Sequence, residues 1–251
     1  MKLEESRLIV KRPYKEVYKY DDSIVKVFAA THPKSDIFNE ALNTARVEES
    51  GLDIPRVKEV RQINGKWALV IDYKEGKTLE DMMESDKGNL EKYMADFVDL
   101  QMTIHGKSAP LLNKLKDKLA RQINSLKDVD ATTRYELLTR LESMPKHTKI
   151  CHGDFNPSNV IVGKNGKMTV VDWAHASQGN ASADAAMTYL LFALKDQGTA
   201  DLYMDVFCKK SDTARQYVQQ WLPIVAAAQL TKNNTLERDF LLRWIDVIDY
   251  Q

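Results

Sequence analysis

The hydrophobic period of this chain changes near Thr78, and that change limits what it can fold into. Before it, short apolar runs alternate with turn signals. Glu16-Val-Tyr-Lys-Tyr20 and Ser23-Ile-Val-Lys-Val-Phe28 flank Asp21-Asp22 and read as a hairpin. Ser35 to Gly51 has helical spacing, with Phe38, Leu42, Ala45 and Val47 near one face and Gly51 as the stop. Pro55-Arg-Val-Lys-Glu-Val60 and Lys66-Trp-Ala-Leu-Val-Ile71 read as two strands around the turn Asn64-Gly65. Strand, strand, helix, strand, strand implies a small antiparallel sheet with one helix packed on it. After Thr78 the period lengthens to that of helices, over Leu90 to His105, Pro110 to Lys127 and Ala131 to Met144. Helices resume from Ala183, with breaks near Gly198, Pro223 and Asn233-Asn234, and a strand pair at 160–171 interrupts them.

The expected class is therefore α+β: a β-rich lobe over residues 1–75 and a larger helical lobe over residues 76–251. A ligand is expected in the crevice between two such lobes. With 251 residues, 43% of them hydrophobic, the chain can bury one large core or two modest ones. Its 36 basic and 36 acidic residues cancel, so no global field draws it to nucleic acid or to an anionic membrane. The first residues lack the basic-then-apolar layout of a secretory signal. The longest mostly apolar stretch, Ala185 to Leu194, is half the length of a membrane span. Cys151 and Cys208 are too few for a disulfide framework and lack CxxC spacing, and Cys151 is expected to act as a small buried hydrophobe. The expectation is a cytoplasmic protein with neither a nucleic-acid nor a membrane partner. Its oligomeric state is left open.

Residues 150–173 carry the chemistry. They read Ile150-Cys-His152-Gly-Asp154-Phe-Asn-Pro-Ser-Asn159-Val-Ile-Val162, a Gly-Lys-Asn-Gly-Lys break, then Met168-Thr-Val-Val-Asp172-Trp173. Phosphoryl transfer from ATP needs one carboxylate to orient and deprotonate the attacking hydroxyl. It also needs an amide oxygen and a second carboxylate to hold magnesium against the phosphates. Singly, Asp and Asn are common turn formers, and Asn156-Pro157 is a turn dipeptide. The joint spacing is what favours function. His152 reads as a hydrogen-bonding loop residue rather than a base. Lys26 shares a strand face with Ile24 and Phe28, so its ammonium points inward and demands an anionic partner. A lysine snorkelling from an edge strand is the bland alternative. Glu40, in the first half of the next helix, is preferred as that partner over Glu48 and Glu49, which flank the helix end. A rival reading makes His152, Asp154, Asp172 and His175 the ligands of a hydrolytic metal centre, but it leaves Lys26, Asn159 and the β-rich lobe without roles.

The His152-Gly-Asp154 to Asn159 segment with Asp172 resembles that of the aminoglycoside phosphotransferase and choline kinase superfamily, the small-molecule branch of the protein-kinase-like fold. The resemblance extends over about residues 8–195. It implies a protein-kinase-like two-lobe fold, with Asp154 the catalytic base, Asn159 and Asp172 binding magnesium, Lys26 contacting the phosphates and Glu40 pairing with Lys26. Val70-Ile71-Asp72-Tyr73 matches the linker whose backbone hydrogen-bonds adenine, so Ile71 and Tyr73 are nucleotide residues by resemblance, and Gly76 with Leu79 fits the following turn and helix start. Asp184 corresponds to the aspartate that anchors the catalytic loop.

Two departures stand out. Trp173-Ala174 occupies the place of the protein-kinase Phe-Gly, and Lys11-Arg-Pro-Tyr-Lys15 lacks the glycines of the usual phosphate cover. That leaves backbone amides, or Arg12 and Lys15, to do the cover's work. The expected activity is an ATP- and Mg2+-dependent phosphotransferase acting on a hydroxyl of an aminoglycoside-, choline- or amino-alcohol-like small molecule, with GTP open as donor. Tyr203, Asp205, Tyr217, Trp221, Glu237, Asp239, Trp244, Asp246 and Asp249 suit a cationic acceptor, although aromatics at helical spacing are usually core. A protein-directed kinase is disfavoured by the short stretch between Asp172 and Ala183. A pseudokinase or nucleotide-sensing module is disfavoured because Lys26, Asp154, Asn159 and Asp172 are all present.

Overall fold

The computed structural model describes residues 3–127 and 129–245. Among these the chain begins with β1 (Leu8–Arg12), β2 (Lys15–Tyr20), β3 (Ser23–Phe28), α1 (Lys34–Glu48), β4 (Val57–Ile63), β5 (Lys66–Asp72), β6 (Lys77–Thr78) and α2 (Leu79–Ser85). It continues through α3 (Leu90–His105), α4 (Leu115–Ser125), α5 (Ala131–Ser143), β7 (Lys149–Cys151), β8 (Val160–Val162), β9 (Met168–Val170) and β10 (Ser177–Gly179). The last elements are α6 (Ala181–Ala193), α7 (Gln197–Ser211), α8 (Arg215–Gln219), α9 (Leu222–Leu230) and α10 (Arg238–Ile245). Two compact units form: Met1–Ser85 with Pro157–Ala176, and Asp86–Asn156 with Ser177–Gln251.

The first unit is built on an antiparallel sheet in the order β1-β2-β3-β5-β4. Residues 11 and 12, expected in a loop, are instead the end of β1. That strand turns through Pro13-Tyr14 so that Arg12 faces Lys15. Asn64 (φ 50°) and Gly65 (φ 77°) supply the paired left-handed residues that a tight β4–β5 hairpin requires. Alternation along β3 divides its side chains between two clusters. Val25 and Val27 pack with Tyr18, Ile63 and Ala68, while Phe28 packs with Ile37, Ala41, Leu69 and Ile71.

Helix α1 lies where the sequence places it, but the buried face differs from the expected one. Ile37, Glu40, Ala41, Thr44 and Val47 are buried, whereas Phe38 and Leu42 are 44% and 47% exposed. Two apolar stripes compete on this helix, and the stripe carrying Glu40 faces the inward lysine of β3. Phe38 packs edge-on against Trp67 instead, and the Lys34 ammonium lies over the Trp67 ring. A second, three-stranded sheet, β6-β8-β9, ties residues 157–176 into this unit, with Lys77 opposite Val162 and Thr78 opposite Ile161.

The second unit is helical. Helices α6 and α9 are buried on most sides, and the α3 stripe Met94, Phe97, Val98, Gln101, Ile104 and His105 packs inward. Phe97 stacks on Phe155 with ring centroids 4.3 Å apart. Helix α4 starts at Leu115, later than its expected start at Pro110. The cause lies in β10. Gln178 Nε2 donates to the carbonyls of Pro110 and Leu112 at 2.7 and 2.6 Å, and its N–H donates to the Asn113 carbonyl, so this backbone is held extended. β7 pairs antiparallel with β10, and no helix among the described residues is long and apolar enough to cross a membrane.

Gly76 precedes β6 where a Cβ would collide with the Val162 backbone carbonyl and with Ile161 Cγ2. Gly76→Ala should therefore destabilise the protein by about 1–3 kcal/mol, as overpacking against backbone does. A urea midpoint equal to that of the wild type would show that β8 can move aside.

Candidate active site

The first unit concentrates charge around one carboxylate. β-strand alternation turns Lys26 toward α1, where it is 7% exposed. Its Nζ donates to Glu40 Oε1 at 2.7 Å and to Asp172 Oδ1 at 3.0 Å. Lys15, the first residue of β2, donates to the other oxygen of the same carboxylate at 3.3 Å. Burial alone would depress the Lys26 ammonium's pKa. The charges of Asp172 and Glu40 more than offset this and hold it above the usual lysine value, so the side chain stays cationic. Leu69, Ile71 and Trp173 complete the wall beside this cluster.

Asp172 adopts φ 65°, a left-handed conformation that aspartate tolerates better than most residues. Three contacts hold it there. Val171 N–H donates to the Asn159 carbonyl at 2.9 Å, which closes the open end of the β8–β9 hairpin and brings the Asn159 backbone next to the residue before Asp172. The buried Trp173 donates from Nε1 to the Val170 carbonyl, and Asn43 Nδ2 donates from α1 to the Ala174 carbonyl at 3.0 Å. Asn43 escaped the sequence reading, although it lies three residues after Glu40 on one helix face. Lys15 extends the expected strand Glu16–Tyr20 by one residue, and the strand β1 that pairs with it was not expected.

In the second unit, β7 delivers the chain to a loop whose backbone is fixed at each step. Gly153 N–H donates to Asp184 Oδ1 at 2.7 Å, and Asp184 Oδ2 lies 2.9 Å from His105 Nε2. Burial pushes the Asp184 pKa up. The hydrogen bond and charge of His105, together with the Gly153 amide, outweigh that and hold it below the usual aspartate value. Asp154 N–H donates to Nδ1 of the buried His152 at 3.2 Å, and Asn156 Nδ2 donates to the Asp154 carbonyl at 2.9 Å. Below the loop runs a buried relay. Tyr203 OH donates to Gln101 Oε1, Gln101 Nε2 to Thr188 Oγ1, and Thr188 Oγ1 to the Phe155 carbonyl. The Asp154 side chain is about a quarter exposed, with Lys232 Nζ 3.8 Å from Oδ1. Cys151 is fully buried, which raises its thiol pKa well above normal, and Asp184's charge adds to the effect.

The remaining sequence-derived residues fall as follows. Ile71 sits in β5 between Ile24 and Val57, and Tyr73 N–H donates to the Asp22 carbonyl at 2.8 Å. Of the acidic and aromatic residues considered for a cation, Tyr203 and Trp221 are core, and Tyr217 OH accepts from Asn180. Asp205 pairs with Arg215, Glu237 accepts from Gln229 and Asn234, and Trp244 packs edge-on to Tyr189. Asp239 lies in the first turn of α10, and Asp246 and Asp249 lie outside the described residues. Among the described residues no group of three or more His, Cys, Asp or Glu side chains is arranged to hold a metal, so the four-ligand hydrolytic centre does not form.

A five-stranded antiparallel sheet with a buried lysine–glutamate pair on its helix, followed by a mostly helical unit, is the α+β, protein-kinase-like architecture. A family model for the phosphotransferase enzyme family matches residues 14–221, and the chain belongs to that family. Its fold is similar to that of a thermostable mutant of aminoglycoside phosphotransferase APH(4)-Ia in a ternary complex with ADP and hygromycin B. There the TM-score is 0.69 at 13% identity, over 95% of this chain and 89% of that one. Choline kinase LicA from Streptococcus pneumoniae superposes with a TM-score of 0.65 at 14% identity, over 95% and 90% of the two chains. A choline/ethanolamine kinase family protein from Mesorhizobium loti gives 0.61 at 15%, over 95% and 84%. No curated protein sequence matches the chain.

Because the Asp184 pKa is depressed by folding, its contribution to stability is complete above the ordinary aspartate value and is lost as pH falls through the lower folded value. Asp184→Asn should cost about 3–5 kcal/mol near neutrality, the scale for breaking a buried pair, and should flatten the fall in stability below about pH 4. Urea unfolding from pH 7 to pH 3 measures both. Parallel curves for the two proteins would remove this carboxylate from the acid response.

Proposed function

We propose that the protein is an ATP- and magnesium-dependent kinase that moves the γ-phosphoryl group to a hydroxyl of a small molecule. The observation that carries this reading is the convergence of Lys26, held by Glu40, and Lys15 on the carboxylate of Asp172, beside Asn159. Two ammonium groups so placed suit the α and β phosphates of a nucleotide. Glu40 keeps Lys26 oriented while phosphate oxygens compete for it. Asn159 and Asp172 offer an amide and a carboxylate oxygen. These are the hard donors magnesium takes when phosphates complete its shell, and they fit the ion. Bound there, magnesium would neutralise charge on the phosphoryl group in transfer.

Lys15 takes the place of the missing glycine-rich cover. The linker at Ile71 and Tyr73 receives the base. Since the Tyr73 amide donates to Asp22, a contact there would use the Tyr73 carbonyl as acceptor. Asp154, its backbone fixed by His152 and Asn156, acts as the base. The acceptor oxygen bonds to the γ-phosphorus as the bond to the bridging oxygen breaks. ADP leaves with that electron pair, and the hydroxyl proton passes to Asp154 late in the transfer. The unit holding Lys26, Asn159 and Asp172 thus binds the nucleotide, and the unit holding Asp154 binds the acceptor. The ADP and hygromycin B in the complex of the structurally similar aminoglycoside phosphotransferase support a nucleotide and a hydroxylated small molecule as the two substrates. The free thiols of Cys151 and Cys208 suit a reducing, cytoplasmic compartment.

The test is ADP release from Mg-ATP, and from Mg-GTP in parallel, across hydroxylated small molecules. Asp154→Asn should lower turnover by roughly 10²–10⁴-fold, the contribution of a positioned base, while nucleotide affinity is kept. Turnover that survives the change would sink the assignment. Lys15→Ala should raise the KM for ATP about tenfold, the loss of one charge-assisted contact; an unaltered KM would leave phosphate binding to other groups.

A further inference from the structure

Both oxygens of the Asp172 carboxylate accept from an ammonium, and the two lysines stand differently toward it. Strand register puts them on one face of the sheet. Val17 lies opposite Lys26 across the β2–β3 pair, and Lys15 is two residues before Val17, so the three side chains point the same way. Lys26 donates to Asp172 Oδ1 and Lys15 to Oδ2. Lys26 also holds Glu40 at 2.7 Å, so it would keep a counter-charge if Asp172 turned to another ligand. For Lys15, Asp172 is the one carboxylate at ion-pair distance among the described residues, and its side chain is only 10% exposed. The Lys15 backbone is held from both sides. Lys15 lies opposite Phe28, and the Tyr14 carbonyl accepts from the Ala29 N–H. The ring of Tyr14 stacks on His32, and His32 stacks on Phe28. The four-carbon stem of Lys15 is the part left to move.

A divalent cation arriving alone at Asp172 would separate Lys15 from its partner and would stand among two ammonium groups. Both effects oppose it. A cation arriving with a polyphosphate meets a different balance. Phosphate oxygens give Lys15 a new partner as the ion takes its place on the carboxylate, and the exchange leaves neither ammonium without counter-charge. Metal and phosphate binding are then coupled through one side chain, and such coupling is reciprocal.

We infer that Lys15 gates the metal site: it shuts Asp172 to a bare divalent cation and yields that carboxylate when phosphate oxygens draw its ammonium away. Resting on the kinase reading of Asp172, this role adds an order of binding, in which the metal enters with the nucleotide and not before it. It also separates two uses of one lysine. A residue that merely attracts phosphate has no effect on the metal when no phosphate is present. A gate, once removed, improves metal binding to the protein alone.

The probe is Mn2+, a hard cation that takes the same oxygen donors as Mg2+. Its binding to the whole chain, with no nucleotide added, is followed by loss of the free-ion EPR signal. Lys15→Met should tighten the Mn2+ Kd about tenfold, the scale of one charge-assisted contact. Lys15→Arg keeps the charge and should bind Mn2+ as weakly as the wild type. Adding Asp172→Asn to Lys15→Met should abolish the gain. Loss of structure in a variant cannot mimic a gain of affinity that depends on Asp172. An unchanged Kd in Lys15→Met, a gain of equal size in Lys15→Arg, or a gain that survives Asp172→Asn would each overturn the inference. Failure of the kinase reading itself would look different: a fluorescent ATP analogue with Mg2+ would not bind the wild type, whatever Mn2+ does, and the gate would fall with it.

Discussion

A buried ammonium in the middle of a strand is the demand around which the first unit is arranged. Lys26 cannot reach water from the inner face of β3, and leaving it without counter-charge would cost several kcal/mol. Glu40 meets part of that demand, and doing so fixes the rotation of α1. The stripe Ile37, Ala41, Thr44 and Val47 goes inward with Glu40, while Phe38 and Leu42 are left toward solvent. Asp172 meets the rest, and it does so from a left-handed backbone conformation held by Trp173, Asn43 and the Asn159–Val171 bond. Strain at one residue is thus tolerated because several independent hydrogen bonds determine its position.

The second unit solves a different problem: in the proposed reading, Asp154 must be held still while its carboxylate remains reachable. Asp184, His152 and Asn156 take up backbone groups of the loop, His105 holds the Asp184 carboxylate, and the Tyr203–Gln101–Thr188 relay supports it from below. None of these bonds uses a side-chain oxygen of Asp154. The division explains why so much buried polarity is concentrated in one place: satisfied networks are rigid, and partial ones are costly.

Much of this was legible in the sequence. Strand alternation alone turned Lys26 inward, and helix periodicity placed α3 and α5 to within a residue. The spacing of Asp154, Asn159 and Asp172 pointed to phosphoryl transfer, and the match to the phosphotransferase enzyme family agrees with that class of enzyme. What could not be read had its cause elsewhere in the chain. Periodicity offers two apolar stripes on α1, and only the partner of Glu40 decides between them. Helix α4 starts late because Gln178, more than sixty residues away, captures the carbonyls that would have begun it. Of the acidic and aromatic residues near the C-terminus, Asp205 and Glu237 have partners in Arg215 and Gln229, and Tyr203 lies in the aromatic core, none of which helical spacing shows.

The exchange of a glycine-rich cover for a lysine at the start of β2 has a physical consequence in the proposed reading. Successive glycine amides form a concave nest that fixes phosphate oxygens by direction. A lysine is a compact point charge on a flexible stem and attracts phosphate with little directional preference. The short Pro13-Tyr14 turn compensates by making the strand, rather than a mobile loop, set where that charge begins. Phosphate recognition built from Lys15 and Lys26 is therefore positioned by the sheet and tuned by charge. Asp172 joins the two demands: its carboxylate keeps both lysines aimed at one point, where in the proposed reading their charge and that of magnesium would balance the phosphates.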